Sequence, residues 1–139
     1  MIAYVDSSVL LRLALGQPRS LGEWSTIDRA VSSALAQAEC HRTLDRLRLR
    51  GALSMPNHAR AVGHLNDLLS AVDLLQITDS VLRRAGEPFA SPLGTLDAIH
   101  LASALLLRET EQIDGLIFAT HDVELSMGAR LLGFETKGL

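Results

Sequence analysis

The sequence predicts an α/β fold in which a parallel sheet of four or five strands carries helices on both faces. Short apolar runs that resemble strands, such as residues 2–5 and 116–119, alternate with stretches whose apolar residues recur at helical spacing. Each strand is followed by a helix and not by a hairpin turn, which is typical of parallel strands joined by crossover helices. An apolar fraction of 47% and a charged fraction of 21% indicate a globular protein with a buried core.

Length and composition narrow the class of protein further. A chain of 139 residues has the length of one domain, so we expect a single domain over residues 1–139. No apolar run approaches the length of a membrane span, and the first residues lack the basic segment of a signal peptide. The lone Cys40 cannot form an internal disulfide. We therefore expect a cytoplasmic protein that makes no contact with a membrane.

The first half of the chain predicts two strands and three helices. Gly16 ends the first helix, Gly51 ends the long one, and Pro56 suits the first turn of the third. Leu35 and Leu44 belong to the apolar face of the long helix. In order, the predicted elements are strand 2–5, a helix from residue 7 or 8 to 15, an irregular connection 18–28, strand 30–32, helix 33–50 and helix 55–71.

The second half predicts two further strands, three helices and a final edge strand. Thr78 or Asp79 is the expected cap of a short helix, and Thr95 is the expected cap of a longer apolar one. Gly115 precedes the last apolar strand, and Gly133 ends the helix after it. In order, the predicted elements are strand 72–77, the short helix, helix 96–108, strand 116–119, helix 123–132 and edge strand 134–136.

Acidic residues stand at informative places in this pattern. Asp6 directly follows the first strand, and Asp122 follows strand 116–119. Because the carboxyl ends of parallel strands meet at one edge of a sheet, both side chains should lie in one crevice. Asp97, in the first turn of an apolar helix, and Glu39, among small residues, could join them. Four carboxylates at one place repel each other unless cations bind, and oxygen ligands suit Mg²⁺ or Mn²⁺. The pattern predicts a metal-dependent hydrolase.

Each acid also has a purely structural explanation. Asp6 and Asp122 precede helices, where aspartate is a favoured N-cap, and Asp97 would complement a helix dipole. On this alternative the chain is a receiver-like or RNA-binding module with no metal affinity. A third possibility is an aspartate-based phosphotransferase with Asp6 as the nucleophile. That chemistry commonly requires a second aspartate two residues later, where this chain has Ser8.

Several segments, taken in order and with their spacing, carry a family resemblance. They are YVDSSVL at 4–10, AECHR at 38–42, LDAIHLASA at 96–104, FATHD at 118–122 and LGF at 132–134. The chain resembles PIN-domain ribonucleases, and most closely the VapC toxins of bacterial type II toxin–antitoxin pairs. The resemblance covers nearly the whole chain and implies a PIN-like three-layer αβα domain.

The resemblance also implies a site and an activity. The positions that match the family's four acidic metal ligands are Asp6, Glu39, Asp97 and Asp122, which would hold Mg²⁺ or Mn²⁺. Ser8 and Thr120 match small polar positions that line this site. The resemblance further implies endonucleolytic cleavage of RNA, often tRNA or rRNA, a homodimer, and a cognate antitoxin that occludes the site. A PIN-fold nuclease of RNA maturation or DNA cleavage, without a toxin role, is the alternative within the same fold.

Basic residues are concentrated in residues 42–50. Arg42 lies three residues after Glu39 and therefore shares its helix face, so it is the candidate contact to an RNA phosphate. A solvated helix face and a contact to acidic residues of a partner are the alternatives for this run. The net charge of −3 argues weakly against a large nucleic-acid surface, although bound cations would offset part of it.

Overall fold

The computed structural model describes residues 1–139 and contains one five-stranded sheet. The strands are β1 (Ile2–Val5), β2 (Arg29–Ser33), β3 (Asp73–Leu75), β4 (Ile117–Ala119) and β5 (Glu135–Lys137). The helices are α1 (Ser7–Ala14), α2 (Leu35–Leu49), α3 (Met55–Ala71), α4 (Asp79–Ala85), α5 (Thr95–Thr110) and α6 (Val123–Leu131), with a 3₁₀ helix at Gly22–Thr26. Every strand pair is parallel, and the strand order is β3-β2-β1-β4-β5.

Alternation along the central strand divides the interior into two layers. Ala3 and Val5 of β1 point into an apolar cluster formed with α1, α2 and α3. Tyr4, between them, points to the opposite face, where it packs with residues of α5 and α6. This period-two alternation is what a strand buried on both faces requires. The predicted α/β class, with helices on both faces of a parallel sheet, is confirmed.

Several predicted boundaries differ from the structure by one or two residues, and three of the differences have a clear structural reason. β3 has three residues instead of six, because β2 offers pairing partners only opposite Asp73–Leu75. α2 begins two residues later than expected, since the Ala34 N–H still donates to Leu75 O at the end of the sheet. The prediction that Thr95 caps α5 is wrong. Gly94 holds the N-cap position, and its carbonyl accepts the Ala98 N–H at 2.9 Å.

The strand order determines where a ligand would bind. The chain runs outward from β1 through β2 to β3, and then returns to β4 on the other side of β1. The connections that leave the carboxyl ends of β1 and β4 therefore diverge and open a crevice between them, which is where open α/β sheets bind ligands. None of the six helices combines the length and apolarity needed to cross a bilayer.

Candidate active site

Asp6 lies in the crevice, and its carboxylate is held by hydrogen bonds from three neighbours. It is the N-cap of α1, with Oδ1 accepting the Val9 N–H at 3.2 Å and the Ser8 hydroxyl at 2.6 Å. Its Oδ2 accepts the Thr120 hydroxyl at 2.6 Å, across from the end of β4. Asp6 is only 4% exposed, and this burial raises the pKa of its carboxyl group, although the hydrogen bonds from Ser8 and Thr120 oppose the rise.

Asp122 and Asp97 lie at the same end of the sheet. Asp122 is the N-cap of α6, where Oδ1 accepts the Leu125 N–H at 2.7 Å. Asp97, in the first turn of α5, is half-buried and accepts no hydrogen bond from the protein. Burial raises the pKa of the Asp97 carboxyl group, and repulsion from Asp122, Asp6 and Glu39 raises it further. The four predicted carboxylates therefore share one electrostatic neighbourhood.

Glu39 reaches this neighbourhood from α2 through a buried histidine. His100 Nε2 lies 2.5 Å from Glu39 Oε1, and His100 Nδ1 lies 2.8 Å from the Tyr4 hydroxyl. The His100 side chain is 1% exposed and that of Glu39 is 16% exposed. Burial holds the pKa of Tyr4 well above its usual value, so the phenol keeps its proton. Tyr4 can then donate to Nδ1 while Nε2–H donates to Glu39, which satisfies both ring nitrogens of a neutral imidazole.

The polar residues between the strands fix the geometry of the crevice. The Ser8 hydroxyl accepts the His121 N–H at 2.9 Å while it donates to Asp6, and Thr120 Oγ1 accepts the Asp122 N–H at 3.0 Å. Gly138 packs so closely here that a Cβ atom on it would lie 2.3 Å from Thr120 O. The family resemblance indicated Ser8 and Thr120 as residues that line the site. It gave no sign of the close approach of Gly138.

The donor set fits a hard divalent cation. Asp97 has no protein partner, Asp122 Oδ2 is free, and the mutual repulsion of these carboxylates is what a bound cation would relieve. No three side chains among the histidines, cysteines, aspartates and glutamates are arranged as a preformed metal cage. Binding a cation would therefore bring side chains closer together, and Asp97 is the least restrained of them.

Arg42, the candidate phosphate contact, and the lone Cys40 lie outside this constellation. Arg42 is exposed and forms a salt bridge with Asp45, with Nη1 to Oδ2 at 3.0 Å, so its guanidinium is partly engaged within α2. Cys40 is buried beside Glu39, and burial raises the pKa of its thiol to about 12. At neutral pH that thiol is not a nucleophile.

Comparisons with known proteins agree with this architecture. The family model of the PIN domain matches residues 3–127. The chain is 37% identical to Ribonuclease VapC46 of Mycobacterium tuberculosis, over 94% of this chain and 92% of that protein. It is 29% identical to Ribonuclease VapC47 of the same species, over 96% of this chain and 93% of that protein.

Solved structures with low sequence identity share the fold. VapBC2 from Rickettsia felis, solved with a promoter DNA fragment, gives a TM-score of 0.66 at 14% identity, covering 99% of both chains. PAE2754 from Pyrobaculum aerophilum gives a TM-score of 0.59 at 22% identity, covering 98% of this chain and 89% of that one. With the family-model match and the sequence relatives, the conclusion is direct: the chain belongs to the PIN-domain family, among its VapC-type members.

Proposed function

We propose that this chain is a Mg²⁺- or Mn²⁺-dependent endoribonuclease and the toxin of a type II toxin–antitoxin pair. One observation carries the metal-dependent chemistry: Asp97 stands half-buried and without a hydrogen bond among three further carboxylates. The identity of 37% to a protein named as a ribonuclease, over nearly the full length of both chains, supports RNA as the substrate. The proposed site covers Asp6, Glu39, Asp97 and Asp122 as ligands, with Ser8 and Thr120 supporting them.

Within this proposal the residues divide the work according to their contacts. A divalent cation, when bound, polarises the scissile phosphate and lowers the pKa of a water molecule that attacks it. Asp6 is held rigidly by Ser8 and Thr120, so it fixes the position of the site relative to β1 and β4. Asp97 and Asp122 leave carboxylate oxygens free toward the crevice. His100 acts as a positioning residue, because its bond to Glu39 fixes one carboxylate oxygen and leaves the other free.

The partners follow from the same proposal. RNA, such as tRNA or rRNA, would approach the open end of the sheet, and Arg42 would contact a phosphate after leaving Asp45. A cognate antitoxin would cover the site. A second copy of the chain is the proposed occupant of the apolar stripe on α6, where Val123, Met127 and Leu131 are 64%, 54% and 57% exposed at four-residue spacing. Light scattering on the purified protein would contradict the homodimer if it gave the monomer mass at micromolar concentration.

A non-catalytic module is the rival function, and one specific observation favours it. Asp6 and Asp122 do serve as N-caps, as a purely structural role requires. The two functions differ at Asp97, which caps nothing. A module predicts that Asp97→Asn changes neither metal affinity nor any activity.

The deciding experiment is cleavage of total RNA by the antitoxin-free protein with Mg²⁺, with Mn²⁺ and with chelator. Asp97→Asn should reduce the cleavage rate by at least about 10- to 100-fold, the loss typical of disturbing a metal site. Asp67→Asn, the same substitution at an exposed residue of α3, is the matched control and should cut at the wild-type rate. Cutting that persists in chelator, or in Asp97→Asn at the control rate, would refute the assignment.

A further inference from the structure

A second cavity opens beside the candidate active site and is not used by the chemistry described above. It has a volume of about 530 Å³, within the range of ligand-binding pockets. Arg12 and Arg19 line it together with His121, and Glu23 is the only acidic side chain on its wall. His121 belongs to both places, since its N–H is bonded to Ser8 of the candidate active site. The cavity therefore adjoins the crevice at His121.

Arg12 is bonded to the loop that carries Arg19, and neither guanidinium is neutralised. Arg12 lies on α1 four residues after Ser8, hence on the same helix face and about 5–6 Å farther along it. Its Nη1 donates to Arg19 O at 3.2 Å, which ties the helix to the loop that follows. Neither guanidinium forms a salt bridge with a carboxylate. Both keep free donors of the planar, forked geometry that matches phosphate oxygens.

The loop that carries Arg19 has a defined conformation. Arg19 has a φ of 62°, in the left-handed region that non-glycine residues seldom adopt. Leu21, two residues later, is 4% exposed and packs into the core between the sheet and α1–α3, so the loop is anchored on that side. Unfavourable backbone conformations that the surrounding structure maintains are common at ligand clamps.

We propose that this cavity is a second phosphate subsite, which binds an internal phosphodiester of the RNA strand next to the one being cut. The inference rests on the proposed nuclease function for the identity of the strand. A strand whose scissile phosphate lies at Asp6 and Asp97 must leave along one side of the crevice. The side of Arg12 and Arg19 offers two unneutralised cations: Arg12 lies about one helical turn after Ser8, and Arg19 lies in the loop to which Arg12 is bonded. Arg42, by contrast, is already paired with Asp45.

The test measures binding of a labelled, mixed-sequence single-stranded oligoribonucleotide in chelator, by fluorescence anisotropy over a series of salt concentrations. Arg12→Ala/Arg19→Ala should weaken binding about tenfold or more at low salt, the loss expected from charged hydrogen bonds. The slope of log K against log salt should fall by about 0.7, because one phosphate contact is lost. Arg60→Ala/Arg83→Ala removes the same charge from α3 and α4 and is the matched control, which should leave the slope unchanged.

Each outcome decides the question. An equal slope in the two double variants, or no RNA binding by the wild-type protein, would overturn the subsite. The Arg12→Ala/Arg19→Ala substitution should weaken binding equally for oligonucleotides with and without a 5′-phosphate. A loss confined to the 5′-phosphorylated strand would overturn the assignment of the subsite to an internal phosphodiester. Binding in chelator does not depend on cleavage. If the Arg12→Ala/Arg19→Ala variant shows the expected fall in salt slope but the wild-type protein shows no metal-dependent cutting, the nuclease function is refuted and the phosphate subsite stands. If the protein cuts RNA but the salt slope of the variant does not fall, the subsite alone is refuted.

Discussion

The buried chain from Tyr4 through His100 to Glu39 makes a quantitative prediction about stability. Tyr4 is fully buried, so replacing His100 by Leu leaves its hydroxyl without the 2.8 Å partner and removes the donor to Glu39. A buried polar group that loses its partner costs about 1–3 kcal/mol, and more when it is charged. We expect His100→Leu to lower the free energy of unfolding by about 3 kcal/mol, and Tyr4→Phe to lower it by about 1–2 kcal/mol through the unpaired Nδ1.

The double variant distinguishes this account from simple packing. Tyr4→Phe/His100→Leu removes both ends of one hydrogen bond, and replacing both partners by apolar groups costs much less than orphaning one. The two effects should therefore fall short of additivity by about 1–2 kcal/mol. Urea unfolding in chelator measures the cycle, and in a thermal scan each kcal/mol corresponds to roughly 4 °C.

A control cycle pairs Tyr4→Phe with Phe118→Leu. The two rings stack with centroids 5.3 Å apart, and Tyr4→Phe keeps the ring, so little coupling is expected there. Effects of Tyr4→Phe and His100→Leu that add within about 0.5 kcal/mol would refute the hydrogen-bonded chain.

Rescue by a conservative variant offers a second check. His100→Gln keeps an N–H near the position of Nε2, so it should bind Mg²⁺ more tightly than His100→Leu does in calorimetry.

The other predictions concern Asp97 and Gly138. Folding raises the pKa of the Asp97 and Asp6 carboxyl groups above 3.8, so the folded state holds their protons to higher pH than the unfolded state. In chelator, the contribution of these two carboxyl groups to stability should fall as the pH rises from 3.8 through their raised pKa values. Asp97→Asn removes the contribution of Asp97, so this variant should have a higher urea midpoint than the wild type at pH 7. Added Mg²⁺ should raise the wild-type melting temperature progressively and leave Asp97→Asn unmoved, and equal shifts would exclude Asp97 as a ligand. Gly138 has a φ of 109°, and a Cβ atom added to it would meet Thr120 O. Gly138→Ala should therefore lower the free energy of unfolding by at least about 1 kcal/mol in thermal unfolding, and it should also abolish RNA cleavage. Gly115→Ala, where a Cβ atom would meet only open space, should change neither quantity.

How far the sequence predicts this molecule depends on the range of the interactions involved. The bounds of β1 are found as predicted, because a strand buried on both faces reads as an unbroken apolar run. β3 was predicted three residues too long, because the mostly apolar segment 72–77 does not reveal where the partner strand stops. The cap of α5 was misplaced for a related reason. Thr95 has good capping chemistry, but the backbone turns into the helix one residue earlier.

The candidate site divides in the same way. Asp6 and Asp122 could be placed together from the sequence because both follow strands of one parallel sheet. The contact between Glu39 and His100 could not be predicted from the sequence, since it depends on how α2 and α5 approach each other across the end of the sheet. No sequence pattern indicated the cavity of Arg12 and Arg19, because that cavity depends on the path of an irregular loop.

The two explanations that the sequence offered for the acids, helix capping and metal binding, are compatible in this structure. A carboxylate offers about four acceptor positions, and Asp6 uses three of them for Ser8, Val9 and Thr120. Asp122 uses only one, on Oδ1. Capping therefore fixes these side chains and leaves acceptor capacity for a cation. Asp97 has no such anchor, and three carboxylates repel it. This repulsion destabilises the cation-free protein and favours the binding of a cation. Asp97 therefore links the stability of the fold to the proposed chemistry.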